Sequence, residues 1–251
     1  MIKFIWPIDL ILLKEVDSTN KYARKYVYKK KNWIIISSIN QTKGIGMGKN
    51  QWYTEKGKNL TFSIIFKPIK ILPVKKRYII NIITSNAIHK TLLNYNNNNL
   101  IWIKWPNDII YDNKKIGGIL IENNIFLQNV HSIIVGIGLN INQTKFNKKW
   151  NVSSLKKIFN INFKLDKLFF EIIYSFQKEY FLFITYGENF IRNYYINHLY
   201  LKDKNSLFYV YKTKSYTKGI IRSITDQGFL IIEIKKKLYF FFQKEIKLIL
   251  S

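Results

Sequence analysis

Apolar residues in this chain come in short runs whose period changes along its length, and the changes mark its elements. Leu10 to Leu13 is a brief apolar run suited to a strand. It leads into DSTN at residues 17–20, where Asp17, Ser18 and Thr19 can each cap a helix whose apolar positions Tyr22, Tyr26 and Val27 recur at helical spacing. The β-branched run from Trp33 to Ile39 predicts a strand that runs into Gly44, Gly46 and Gly48, and NLTFSIIFKP predicts another ending at Pro68. Residues 75–95, KKRYIINIITSNAIHKTLLNY, read as an amphipathic helix, and NYNNNN at 94–99 as a polar loop. IWIKWP is then a strand, DIIYDNKKIGGILIE a hairpin turning at Asp112 and Asn113, and SIIVGIGLNIN one more strand.

From Val152 to about Tyr200 the apolar spacing is helical. From about Asn205 it shortens again into five strand-like segments, LFYVYK, YTKGIIRSI, GFLIIEI, KLYFFF and IKLIL. The pattern predicts an α+β fold: a mixed β-sheet with flanking helices over residues 1–203, and a small barrel over residues 204–251. The chain has no internal repeat.

One feature of the hairpin resists a purely structural account. Lys114 and Lys115 lead directly into the apolar arm KIGGILIE. Burying an ammonium group without a partner costs several kcal/mol. Either both lysines lean into water, or an anion comes to meet one of them.

Composition narrows the classes. With 251 residues, 47% hydrophobic and 16% aromatic, the chain has ample material for a packed core, which excludes disorder. The net charge of +26 would suit a polyanion partner, but the lysines are spread among Asn, Ile, Tyr and Phe rather than gathered into an arm or stripe. All of these are residues with AT-rich codons, so a composition bias accounts for the charge. The absence of cysteine excludes disulfides, thiolate metal sites and a cysteine nucleophile. His89, His131 and His198 lie far apart in sequence without ligand spacing and read as solitary surface or packing residues. The opening MIKFIWPIDL is apolar, but Pro7 and Asp9 interrupt it and no small-residue cleavage site follows. No apolar run approaches the roughly 18 to 20 residues of a membrane helix. A cytoplasmic setting is expected, with no membrane and no nucleic acid as partner.

The loop QTKGIGMGKNQW carries three glycines directly after a strand, which invites a dinucleotide reading. That reading needs a helix to begin at the loop, whereas NQWYTEKGKNLTFSIIF is a turn followed by a strand. No GxxxxGK followed by Ser or Thr is present either, so a P-loop is excluded. Two readings of the residues remain: a plain hairpin tip, or a flap whose N–H groups wrap a phosphate or carboxylate.

Four stretches in order resemble the biotin protein ligase family: DSTN at 17–20, QTKGIGMG with Trp52 and GKNLTFS after it, KWPND with KIGGIL across 104–120, and VGIGLNIN at 135–142. The segment YTKGIIRSITDQGFLIIEI also resembles the small SH3-like barrel that closes these ligases, so the likeness covers nearly the whole chain, least distinctively at 150–200. No helix-turn-helix precedes DSTN in this sequence, so the resemblance is to the single-function type without the DNA-binding domain.

The resemblance implies an ATP-dependent ligase acting in two steps. Biotin's carboxylate attacks the α-phosphate of ATP to give biotinyl-5'-adenylate, and a specific lysine of a biotin carboxyl carrier protein, typically that of acetyl-CoA carboxylase, then displaces AMP. Two anions must be brought together, so Lys115 is expected to contact both biotin carboxylate and adenylate phosphate, a visiting anion accounting for its position. Lys114, its strand neighbour, is expected on the opposite face in solvent. Ser18, Thr19 and Gln41 match positions that hydrogen-bond the ureido ring, and Asn20, Gly44, Gly46, Gly118, Gly136 and Gly138 match positions beside biotin. Gly117 reads as tight strand packing. Gly44, Ile45, Gly46, Met47 and Trp52, with Trp near the adenine, match the adenylate-binding side. Asn107 and Asn140 supply oxygens for phosphate and Mg²⁺, and Asp108 is expected to accept or guide the proton of the carrier lysine. Trp105 and Pro106 are expected to fix the turn.

This chain departs from the family where many members carry GRGR. Ile45 and Met47 cannot pair with phosphate, although Lys43 and Lys49 flank them as point charges. A leakier adenylate intermediate follows. The nearest rival is a lipoate or octanoate protein ligase, but those relatives show an arginine pair before a Ser-Gly-Gly loop and a KISG-type lysine segment. A basic nucleic-acid-binding protein rests on charge alone; the same field would instead steer an acidic carrier. Whether an open sheet edge pairs in a homodimer is not set by sequence.

Overall fold

The computed structural model describes residues 2–29, 32–48, 50–95 and 100–249; Lys49, residues 96–99 of the asparagine tract and Leu250 of the last strand-like segment lie outside the described residues. In chain order, β1 (Asp9–Val16) leads to the short helix α1 (Thr19–Ala23), and β2 (Ile34–Gln41) to a small hairpin of β3 (Gly44–Ile45) and β4 (Gln51–Trp52). Next, β5 (Leu60–Phe66) precedes α2 (Ile79–Leu93), and a meander follows of β6 (Ile101–Lys104), β7 (Asp108–Tyr111), β8 (Lys114–Phe126) and β9 (Asn129–Leu139). The helices α3 (Leu155–Phe159), α4 (Leu165–Tyr186) and α5 (Glu188–Asn197) come next. The last strands are β10 (Asn205–Val210), β11 (Ser215–Ile224), β12 (Leu230–Ile234), β13 (Lys237–Phe241) and β14 (Ile246–Ile249).

The main sheet has the order β1-β2-β5-β9-β8-β7-β6 and is mixed, since β1 and β2 run parallel and the other pairs antiparallel. Side chains alternate across it with the strand period of two. Ile35, Ile64 and Val135 face the large core, whereas Ile34, Ile36, Ile65 and Ile134 face a smaller cluster closed by Ala23, Tyr22, Tyr26 and Val27 of the DSTN segment. Both faces of β5 are covered, so every residue from Leu60 to Phe66 is buried, and its two polar residues find partners, Thr61 at Ser38 O and Ser63 at Thr19 and Asn20.

The expectation of an amphipathic helix at 75–95 is corrected. In α2 only Lys90 and Leu93 are not buried, because the sheet covers one side and α4 and α5 the other. Its polar residues find partners inside: Thr84 donates to Ile80 O, Asn86 to Ile191 O, and His89 Nε2 lies 2.9 Å from Ile101 O. The histidines are also less solitary than their spacing suggests, since the rings of His89 and His198 stand 4.7 Å apart with Tyr194 against both.

The last five strands form their own antiparallel sheet in the order β13-β12-β11-β10-β14, compatible with the small barrel expected. Phe208, Ile221, Leu230, Ile232 and Ile246 from it join the large core. Among the described residues no helix is long and apolar enough to cross a membrane.

Candidate active site

A cavity of about 480 Å³ lies where the β8–β9 wall, the β3–β4 hairpin, the KWPND loop and the last sheet converge, within the range of roughly 300–1,000 Å³ typical of small-molecule sites. DSTN closes one end. Ser18 caps α1 by accepting from Lys21 N, and Asp17 is drawn to Lys21 at 2.6 Å, which holds its carboxyl below the usual range. The cap turns Thr19 inward, where its N–H and hydroxyl both approach Gln41 Oε1, at 2.9 and 3.3 Å. Ser18, Thr19 and Gln41 all line the cavity, giving it a polar end.

Asn20 also reaches the cavity, but its carboxamide is committed to the protein: Nδ2 donates to Leu120 O and Glu122, and Oδ1 lies 2.7 Å from Ser63 Oγ. Gly136 lacks a side chain for the same reason, since any Cβ there would collide with the Asn20 carboxamide. Both residues line the cavity and together form a buried clamp between α1 and β9. Gly44 is corrected. It does not line the cavity; it pairs with Trp52 in the hairpin, where a Cβ would meet the Trp52 carbonyl. Gly117 packs against Leu139, as its tight-packing reading requires.

The opposite end is built around Lys115. The β7–β8 ladder pairs Ile109 with Gly117 but Ile110 with Lys115, leaving Ile116 unpaired as a bulge. In a regular strand Lys115 and Gly118 would face opposite sides. The bulge puts both on the cavity wall, with the Cβ position of Gly118 3.3 Å from Lys115 Nζ. Lys114 is exposed, as expected. The idea that Lys115 awaits only a visiting anion needs correction: its Nζ lies 2.6 Å from Asp108 Oδ1, with side chains 33% and 22% exposed.

Asp108 is held by the KWPND loop. The Trp105–Pro106 peptide is cis, and Pro106 O accepts from Tyr78 Oη at 2.9 Å and Asn81 Nδ2 at 2.6 Å. Asn107 is tied to β8 by two bonds, Nδ2 to Ile119 O and Ile119 N to its own carbonyl. Asn107 and Asp108 both line the cavity.

Two placements differ from those expected. Trp52 lies on the wall assigned to biotin: Cβ positions on Gly138 and Gly118 would fall 2.5 and 3.2 Å from its ring, and Lys115 Nζ is 5.5 Å from its centroid. Its Nε1 is buried without a hydrogen-bond partner among the described residues, a cost of about 1–3 kcal/mol that an acceptor on a ligand would relieve. Asn140 is absent from the cavity; it is 4% exposed and donates to Ser153 O, anchoring the segment before α3. Of the two residues expected to supply oxygens for Mg²⁺, Asn107 lines the cavity and Asn140 does not, and among the described residues no group of three or more His, Asp or Glu could hold a metal.

Ile45, Gly46 and Met47 do line the cavity. Charge arrives from residues that the sequence reading missed. Lys104, Lys244 and Lys247 join Lys115 there, against the single carboxylate of Asp108. Burial lowers the Lys104 amine from its usual range, opposed by Asp108 and reinforced by Lys115 and Lys247. Lys104 opens the quoted KWPND, so a signal existed; Lys244 and Lys247 are hidden among 41 basic residues.

Comparison with known proteins fits this geometry. On biotin protein ligase from Aquifex aeolicus in complex with biotin and ATP, the chain superposes with a TM-score of 0.79 at 19% identity, covering 97% of this chain and 99% of that one. On biotin acetyl coenzyme A carboxylase synthetase from Helicobacter pylori with bound biotinylated ATP, the TM-score is 0.56 at 24% identity, covering 93% and 100%. The fold is thus that of the biotin protein ligases. Residues 12–140 match the profile described as the biotin/lipoate A/B protein ligase family, and the chain belongs to that family. It is 30% identical over 135 residues to the bifunctional ligase/repressor BirA of Bacillus spizizenii, covering 53% of this chain and 41% of that protein. It is 32% identical over 113 residues to biotin–protein ligase 2 of Arabidopsis thaliana, covering 43% and 32%. The matches thus span less than half the length of these relatives.

Proposed function

We propose that this protein activates biotin with ATP as biotinyl-5'-adenylate and transfers the biotinyl group to a specific lysine of a biotin carboxyl carrier protein, such as that of acetyl-CoA carboxylase, in the cytoplasm. Relatives named as biotin ligases, and a structural neighbour solved with biotin and ATP, support this reading. The observation that carries it is the Ile116 bulge, which turns the one ammonium of the β8 wall onto the surface bounded by Gly118, Gly138 and Trp52.

In the first step the biotin carboxylate oxygen bonds to the α-phosphorus while the bond to pyrophosphate breaks. Two unit charges about 4 Å apart repel by about 4 kcal/mol at an effective dielectric of ~20, so an ammonium between them removes a large part of the barrier to approach. Lys115 fills that role, and its movement onto the anions frees Asp108. In the second step the carrier amine bonds to the acyl carbon, AMP leaves with the bonding electrons, and the amine proton passes toward Asp108. Mg²⁺ would enter on the phosphates of ATP, and no residue here is assigned to it.

The test is to incubate the protein with ATP, Mg²⁺, biotin and a carrier domain and to look for the mass gain of biotin on the carrier, with Lys115→Ala as control. Absence of that gain with the unsubstituted protein removes the proposal. Pyrophosphate release that depends on lipoate rather than biotin would move the chain to the other branch of its family.

A further inference from the structure

The KWPND loop carries Asp108 and Asn107, yet the structure supports it largely from elsewhere. Trp105 Nε1 donates to the carbonyl of Gly228 at 2.9 Å, a contact spanning 123 residues. Gly228 ends the turn between β11 and β12, where Gly228 N donates to Thr225 O at 2.9 Å and its φ is +88°. The ring of Tyr78 lies directly on its α-carbon, so any Cβ there would penetrate the ring. Tyr78 in turn donates through its hydroxyl to Pro106 O. One glycine therefore touches the Trp105 indole and the Tyr78 ring, two of the groups that brace the Trp105–Pro106 peptide alongside Asn81. The turn itself is fixed by Arg192, which is 7% exposed, donates to Thr225 O at 3.0 Å and pairs with Glu188.

We propose that the Thr225–Gly228 turn of the last sheet is a positioning device for the reaction, holding Trp105 and Tyr78 so that Asp108 stands in register with Lys115. The inference rests on the ligase reading given above. Physically, Asp108 follows Trp105 by three residues, and Asn107, between them, is tied to β8 by its two bonds with Ile119. Loss of the Gly228 contact removes one anchor of the loop and lets Trp105 shift against the bonds that remain at Pro106 O and Asn107. A displacement on the order of 1 Å is enough to cost about a hundredfold in rate. Tyr78 and Gly228 lie outside the cavity lining and act as positioning residues through Asp108; Trp105 also lines the cavity, so its positioning role is read from Lys115 labelling.

Trp105→Phe tests this because it keeps an apolar ring and removes only the donor. Lys115 is probed by competitive trace labelling with acetic anhydride, read by mass spectrometry on the whole protein, together with kcat and the KM for biotin. The expected result is labelling of Lys115 faster by about tenfold and kcat lower by about ten- to a hundredfold, with the biotin KM within about twofold. Gly228→Ala should act in the same direction, but its steric clash threatens folding, so Trp105→Phe decides. Unchanged labelling of Lys115 overturns the inference even if Tm falls, since a merely structural contact would lower stability without touching the pair. Labelling needs no turnover, so it separates failure of this device from failure of the ligase reading.

Discussion

Lys115 Nζ stands 2.6 Å from Asp108 Oδ1, so the cation expected to greet the substrates already has a partner within the fold. Anions entering the cavity must draw Lys115 away from Asp108, and that exchange separates the two roles. Asp108→Asn should leave adenylate formation within about tenfold of normal while slowing transfer to the carrier by about a hundredfold or more, the scale of lost general-base help. Lys115→Ala should instead lower adenylate formation itself by about a hundred- to a thousandfold. Single-turnover measurement of each half-reaction checks both. Equal losses in the two steps for Asp108→Asn would contradict the division.

Trp52 offers a reporter. Its indole lies on Gly118 and Gly138 with Nε1 unpartnered, so a ligand entering that groove must displace the ring or supply an acceptor. Binding of biotin should change tryptophan fluorescence, and Trp52→Phe should remove most of that change. An undiminished signal in the variant would place the responsive tryptophan elsewhere.

Ile45 and Met47 line the cavity at the positions where the family resemblance implies arginines. Point charges from lysines hold a phosphate with less directionality than a guanidinium fork. Escape of biotinyl adenylate should accordingly be faster than in arginine-bearing relatives, and Ile45→Arg with Met47→Arg should slow it by about tenfold or more, one good charge-assisted contact. Following release of labelled adenylate from the purified protein checks this. An escape rate already as slow as in those relatives would refute it.

His89 sets an acid limit on stability. Burial lowers its pKa from 6.5 to about 4, with the Ile101 carbonyl opposing and His198 and Lys90 adding to the shift. The unfolded chain therefore binds a proton between pH 6.5 and about 4 that the folded one refuses. Stability is full above the unfolded value and falls as the pH drops through that window, by on the order of 3 kcal/mol in all. Denaturant midpoints measured from pH 7 to 4 should show this slope, and His89→Gln should flatten it. A slope unaltered by the substitution would assign the acid sensitivity to other groups.

Much of the site was legible because its chemistry is carried by short contiguous segments. DSTN carries its own helix cap in Ser18, and that cap turns Thr19 toward Gln41. The strands that carry KWPND and KIGGIL are joined by the two-residue turn Asp112–Asn113, so Asp108 and Lys115 were bound to fall on the two arms of one hairpin, although their meeting needs the Ile116 bulge. The surroundings of Asn140 and Gly136 were illegible for the opposite reason: Asn140 is tied to Ser153 outside the cavity, and Gly136 lines it against the Asn20 carboxamide, contacts made only when separate segments pack. The amphipathic reading of α2 failed likewise, since Asn86 and His89 look solvent-facing until α5 and β6 supply their acceptors.

Sequence by itself determined the longer strands, the start of α1 at DSTN, the hairpin at Asp112 and the family likeness, because backbone propensity, capping and alternation act over a few residues. Tertiary structure alone decided which way Lys115 points, since its direction depends on a one-residue slip at Ile116 that alternation cannot reveal. It also decided that Trp52 lies on the glycine wall and that Gly228 braces Trp105, because those contacts exist only once segments far apart in the chain are packed together.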